Sequence, residues 1–257
     1  MQTKRMGRTG LHVSEICLGT MTFGRQCDEA QSFAIMGAAV EGGIDFFDTA
    51  DVYPAGGGVE TAGRTEEIVG KWLKGRREDI VLATKCWGAV GDRPNDRGLS
   101  RKHILSAVEA SLQRLQTDYI DLYQLHWPNR GHYHFRKNWD YEPKVCDVSE
   151  NDSETLGILT TLDDHIKAGK IRAVGLSNET AWGTAAFLRL AELHALPRMV
   201  TIQNEYSLLC RWFDLDLAEL AVNENIALLS YSPLAAGILS GKYLNSAVPE
   251  GSRASIK

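Results

Sequence analysis

Residues 44–53 read IDFFDTADVY. Ile44, Phe46 and Phe47 form an apolar run too short for a helix. Gly42-Gly43 precede it, so the run predicts a buried strand entered from a glycine turn. The strand then ends in polar chemistry: Asp48, Thr49, Asp51 and, five residues past Asp48, Tyr53. A carboxylate at the mouth of a buried strand, with a phenol in the loop after it, suggests a catalytic rim. Taken alone, Asp48 reads equally well as a helix cap or a turn aspartate. The pattern on either side has to decide.

Upstream, residues 2–6 and 11–15 flank Gly7-Arg8-Thr9-Gly10 and predict a short hairpin. Ile16 to Thr20 predicts a first buried strand. Asp28 is placed to cap a helix carrying Phe33, Met36, Ala39 and Val40 on one face. Downstream, Ile68, Val69, Trp72 and Leu73 recur at helical spacing before Gly75. Asp79–Thr84 predicts a strand that delivers Lys85. Ser100 caps a helix with a stripe of Ile104, Leu105, Val108, Leu112 and Leu115, and Tyr119–Leu125 predicts a strand that delivers His126. A long loop is expected from Trp127 to about Ser153, then a helix marked by Leu156, Leu159, Leu162 and Ile166. Ile171–Leu176 predicts a strand ending at Ser177-Asn178, followed by a helix to about Ala195. Met199–Ile202 predicts a strand ending at Gln203, with a helix from about Asp214 to Asn225. Ile226–Leu229 is the seventh strand and runs into Tyr231-Ser232-Pro233.

Seven strand-then-helix units with continuously apolar strands imply a parallel sheet covered on its faces. A doubly wound nucleotide fold shows GxGxxG after its first strand. Here that strand ends in Gly19-Thr20-Met21-Thr22-Phe23-Gly24, which is not that pattern. In a (β/α)8 TIM barrel every strand's C-terminal end lies on one face, where functional residues gather. Asp48, Lys85, His126, Ser177, Asn178 and Gln203 all fall at such ends, so a single barrel domain with an N-terminal β-hairpin is expected over 1–257. A closed barrel needs eight strands and the seventh unit ends near Lys257. The eighth strand and last helices are therefore expected to be missing, as in a truncated form of a longer protein.

Composition narrows the function. The net charge of −5 comes without a basic cluster, which argues against nucleic acid. Five dispersed cysteines (17, 27, 86, 146 and 210) suit a reducing cytoplasm better than a disulfide framework. The polar N-terminus has no signal-peptide pattern, and no apolar run is long enough to span a membrane. Gly56-Gly57-Gly58 lacks a following Gly-Lys-Ser/Thr and reads as a loop. His132 and His134 have no third ligand at sensible spacing, so no metal is expected.

Neighbouring strands bring Asp48, Lys85 and His126 together, with Tyr53 above them. Tyrosine is a weak acid, with an ordinary pKa of about 10. A nearby ammonium favours the phenolate, and a carboxylate keeps that ammonium charged. A histidine can hydrogen-bond a carbonyl oxygen and orient it. The set suits carbonyl reduction, with a hydride drawn from a cofactor. A Schiff-base aldolase using Lys85 is a weaker alternative.

At these residues the chain resembles the aldo-keto reductase superfamily, in its Tas-type and potassium-channel β-subunit-like branch. The resemblance runs through TGLHVSEICLGTMTFG (9–24), IDFFDTADVY, ATK (83–85), DYIDLYQLHWP (118–128), GKIRAVGLSN (169–178), TIQNEYSLL (201–209) and YSPLAAGILSGKYL (231–244). It implies Asp48, Tyr53, Lys85 and His126 as a catalytic tetrad, Tyr53 being the general acid, NADPH as cofactor and a small carbonyl substrate. It further implies cofactor contacts at Gly19, Thr20, Met21 and Asp48. Ser177, Asn178 and Gln203 would hold the carboxamide, and Tyr206 or Tyr231 would lie against the nicotinamide. Ser232, Pro233, Leu234, Ala235, Gly237, Leu239, Lys242 and Arg253 would line the pyrophosphate side. Pro54 departs from the glycine common at that position. The family segment that contacts the adenosine 2′-phosphate is the one expected to be missing. A binding module in the manner of channel β-subunits, with little turnover, is the alternative from a different class.

Overall fold

The fold follows from a parallel sheet whose strands come in chain order. In a computed structural model, residues 1–135 and 137–255 are described. Arg136, within the expected long loop, and the terminal Lys257 lie outside them. A hairpin of β1 (Thr3–Arg5) and β2 (His12–Ser14) precedes β3 (Cys17–Gly19), α1 (Glu29–Glu41), β4 (Phe46–Asp48), α2 (Arg64–Leu73), β5 (Val81–Cys86), α3 (Arg101–Leu115) and β6 (Ile120–Leu125). Then come α4 (Val148–Lys167), β7 (Ile171–Ser177), α5 (Ala181–Leu193), β8 (Met199–Glu205), α6 (Leu217–Glu224) and β9 (Ala227–Tyr231). Strands β3 to β9 pair in that order, all parallel. A doubly wound sheet reverses its order at a switch point. This one never does, so it is the curled sheet of a (β/α)8 barrel with seven strands among the described residues.

Side-chain alternation divides the interior in two. Phe46, Ala83, Leu122 and Ala173 meet inside the curl, where Met6 and Val13 of the hairpin close the bottom. Phe47, Leu82, Tyr123, Val174 and Ile202 face the other way and pack under the helices. The hairpin is fastened by Asp45, which accepts from the Ser14 amide at 2.7 Å, while the Asp45 amide donates back to the Ser14 hydroxyl at 3.2 Å. Four of the six helix starts among the described residues have a side-chain cap. Asp28 accepts from the Gln31 amide at 2.8 Å and Gln31 reaches back to the Asp28 amide at 3.0 Å, a capping box. Ser100 and Thr180 cap α3 and α5.

Several boundaries differ from expectation. Helix α4 begins at Val148, not near Ser153, because Asp147 caps it by accepting from the Ser149 and Glu150 amides. Helix α6 begins at Leu217, since Asp214 sits in a separate single turn, Trp212–Asp214. β5 and β8 run on to Cys86 and Glu205, so Lys85 and Gln203 lie within strands; pairing with the next strand continues past both residues. Val40 is exposed, not on the packed face of α1, where buried Ser32 takes its place. β3 is only partly buried and Ile16 is 52% exposed, as β3 pairs on one side alone.

Candidate active site

Alternation decides which polar groups meet. On β4, Asp48 shares the inward parity of Phe46. On β5, Lys85 shares that of Ala83, and on β6, Gln124 shares that of Leu122. Lys85 is fully buried, and its Nζ donates to the Asp48 carboxylate and, at 2.9 Å, to the Thr49 carbonyl. The other Asp48 oxygen accepts from Gln124 Nε2 at 2.9 Å and Gln203 Nε2 at 3.0 Å. The Asp48 carbonyl accepts from both the amide and the hydroxyl of Thr20. Three side-chain donors therefore hold one carboxylate, which fixes the ammonium beside it.

Tyr53 and His126 complete the rim. The Lys85 Nζ lies 5.1 Å from the Tyr53 ring centre, and the His126 ring stands edge-on to Tyr53 with centres 5.7 Å apart. The four residues expected to converge therefore do so. Their protonation is set mainly by desolvation. Burial drives His126 well below its ordinary value, and Lys85 adds to this, so the imidazole is neutral. Burial alone would lower Lys85, but the charges of Asp48 and Tyr53 more than offset it and raise it, so the ammonium persists. A lysine held charged is unsuited to Schiff-base chemistry, which needs a neutral amine. For Tyr53 the expected lowering is not found. Burial pushes the phenol up by more than Lys85 pulls it down, so it is a protonated donor.

The other expected residues divide into groups. Ser177 donates to the Gln203 carbonyl at 2.9 Å, and Asn178 donates to the His126 carbonyl at 3.0 Å. Asn178 also accepts from the Tyr231 hydroxyl at 2.8 Å, which brings Tyr231 to the rim. Tyr206 packs instead against Phe213, with Arg211 over its ring. Of the two rings expected near a nicotinamide, Tyr231 is the one tied to the tetrad. Thr20 is buried against Asp48, whereas Gly19 is exposed and Met21 half-buried. Beyond Tyr231 the chain makes tight turns, with left-handed backbone at Ser232, Ala235, Ala236 and Gly237. Pro233 and Leu234 are exposed, and Leu239 is half-buried. Lys242 lies over the Tyr243 ring, and the Arg253 charge also bears on Tyr243.

Gln124 was not singled out in advance, and Asp51 was named only among the polar residues after Phe47, with no role. Gln124 holds Asp48, and its signal was its parity with Leu122 on β6 and with His126 just past that strand. Asp51 is fully buried with both carboxylate oxygens unpartnered, and its amide donates to the Lys85 carbonyl at 3.0 Å. Burial and the neighbouring Glu66 raise its pKa well above the ordinary value. Glu66 itself is satisfied by Thr84 at 2.6 Å and Arg114 at 2.7 Å.

The sequence profile described as "Aldo/keto reductase family" matches residues 15–255. The chain is 47% identical to "Protein tas" of Escherichia coli (strain K12), over 98% of this chain and 74% of that protein. It is 40% identical to "Uncharacterized oxidoreductase YrpG" of Bacillus subtilis (strain 168), over 96% and 70%. It is 35% identical to "Probable voltage-gated potassium channel subunit beta" of Arabidopsis thaliana, over 98% and 70%.

Proposed function

Because the chain belongs to the aldo/keto reductase family of oxidoreductases, we propose that it is an NADPH-dependent enzyme that reduces the carbonyl of a small aldehyde or ketone. The observation that carries the proposal is the buried Lys85–Asp48 pair set beneath Tyr53 and His126. The chain's own residues fit a dinucleotide. Tyr231 offers a ring beside the tetrad, and Ser177, Asn178 and Gln203 offer amide and hydroxyl groups there. The left-handed turns after Tyr231 suit close backbone approach to phosphate. At Gly237 a Cβ would meet the Lys242 side chain at 2.7 Å, so a small residue leaves room for that cation. Lys242 and Arg253 supply the positive charge a pyrophosphate needs.

When bound, the cofactor supplies a hydride to the carbonyl carbon. The chain does the rest. The neutral His126 donates a hydrogen bond that orients the carbonyl oxygen. Tyr53 passes its hydroxyl proton to that oxygen. The Lys85 ammonium, kept charged by Asp48, stabilises the phenolate left on Tyr53. On this reading the domain is a single unit working in the cytoplasm on a small molecule, without nucleic acid.

The test is Tyr53→Phe. Turnover with an aldehyde panel should fall on the order of a hundredfold or more, while NADPH affinity, measured by fluorescence titration, stays near wild type. Near-wild-type turnover would remove Tyr53 from its role. The likeness to a protein named as a channel β-subunit favours a second reading, an NADPH-binding regulatory module with little turnover. Tight NADPH binding without steady NADPH consumption across the panel would select it.

A further inference from the structure

The interior of a barrel of this kind is filled in layers, each drawn from alternate strands and dominated by bulky apolar side chains. Asp48, Gln124 and Gln203 come from the alternate strands β4, β6 and β8, and the layer they form is polar instead. Gln124 is fully buried, and an amide taken out of water without partners is costly. Both of its ends are used. Nε2 donates to Asp48 Oδ2 at 2.9 Å. Oε1 lies 3.5 Å from Gln203 Nε2, which donates to the same Asp48 oxygen at 3.0 Å. Among the described residues the Gln124 side chain hydrogen-bonds to these two alone.

We infer that Gln124 is a positioning residue for proton transfer, acting on Lys85 and Tyr53 through Asp48. The inference rests on the reductase reading, in which Tyr53 gives up its proton and Lys85 stabilises the phenolate. A carboxylate only accepts, so Gln124 and Gln203 both turn nitrogen toward Asp48. With Oδ2 held by these two donors, Oδ1 faces Lys85. Lys85 in turn donates to the Thr49 carbonyl at 2.9 Å, and its Nζ lies 5.1 Å from the Tyr53 ring centre. A tilt of the carboxylate would break contacts on both oxygens at once, so the two amides resist any movement that loosens the ammonium.

The same contact acts electrostatically. The charge of Asp48 raises the Tyr53 phenol. The Gln124 N–H points its positive end at that charge and offsets part of it, which makes Tyr53 a readier donor than it would be beside a bare carboxylate. The titratable groups around the layer are Lys85 from β5, Tyr53 from the loop after β4, His126 just past β6 and Cys17 from β3. Asp51 also bears on Tyr53, and Asp45 on Cys17. Glu205, two residues beyond Gln203 on β8, bears on Tyr231.

Two substitutions of similar volume separate this role from packing. Gln124→Met removes both polar ends. Its kcat for aldehyde reduction should fall on the order of tenfold at every pH, the scale of one hydrogen bond to a charged group. Aldehyde KM, and NADPH affinity from fluorescence titration, should stay within about threefold of wild type, as for an effect confined to the transition state. Gln124→Glu places a carboxyl where burial and Asp48 both raise its pKa. While protonated, that carboxyl can donate to Asp48 as the amide does. The ratio of its kcat to that of wild type should therefore fall as pH rises from about 5 to about 9. In the cofactor-free protein its melting temperature relative to wild type should fall over the same range, because stability from an acid with a raised folded pKa is lost as pH rises. The inference is overturned if Gln124→Met turns over like wild type, or if the Gln124→Glu ratio is flat with pH. Losses of kcat matched by equal losses of aldehyde KM and NADPH affinity would also overturn it, leaving Gln124 a packing residue. Absence of turnover by the wild type would instead overturn the reductase reading, and this inference with it.

Discussion

At the scale of single residues, the site depends on how Asp48 is held. Gln124 and Gln203 share one of its oxygens while Lys85 takes the other. Gln124→Leu removes one donor to a buried carboxylate, which should cost about 1–3 kcal/mol in urea denaturation. Gln124→Glu places a second acid against Asp48 and should cost more; equal losses would mean that the Gln124 contact is unimportant. Asp51 makes a contrasting case. Its pKa in the fold is raised, so the folded chain holds that proton more tightly than the unfolded chain, where the ordinary value is about 3.9. Stability from this group is full below the unfolded value and declines as pH rises toward the folded one. Asp51→Asn removes the titration and keeps the shape. Its melting temperature should therefore fall less than that of wild type as pH rises from about 4 to about 8. It should also be at least as high near neutrality. A lower melting temperature there would show that the carboxylate is paired.

At the scale of elements, local chemistry set most starts, and long-range pairing set several ends. Helix α4 begins where Asp147 accepts from two orphan amides. This cap is exposed and belongs to no part of the tetrad. Asp147→Ala should cost about 0.5–2 kcal/mol of stability, typical of a lost cap, with unchanged turnover. A loss of turnover without a loss of stability would mean that the β6–α4 loop, and not the helix, is what Asp147 organises. β8 shows the opposite dependence. Its apolar run ends at Ile202, yet it stays in register with β9 through the pair Glu205–Tyr231, and that pairing carries Gln203 into the site.

At the scale of the whole molecule, the sheet has two edges among the described residues. β3 pairs only with β4 and β9 only with β8, and both are partly exposed where β4 to β8 are mostly buried. Unpaired edges of this kind template association. The 257-residue chain should therefore associate as its concentration rises, as seen in sedimentation velocity, and Ile16→Lys beside β3 should reduce the association. A monodisperse monomer at all concentrations would show that the edges are protected. No helix among the described residues is long and apolar enough to cross a membrane.

The convergence of Asp48, Lys85 and His126 was legible in the sequence because strand alternation and strand ends are local properties. A short apolar run, a polar end and the next helix place Asp48, Lys85 and His126 on one rim without any knowledge of contacts. The hairpin, the seven parallel units and the barrel class were legible for the same reason. The grip of Gln124 and Gln203 on Asp48, the hydrogen bond that ties Tyr231 and not Tyr206 to Asn178, and the upward shift of Tyr53 come from the tertiary structure. Each depends on residues distant in sequence: Gln124 and Gln203 lie 76 and 155 positions from Asp48. The direction of the Tyr53 shift depends on how much water those residues exclude. Strand order brings Lys85 near Tyr53, but the balance between its charge and the loss of solvent is a property of packing.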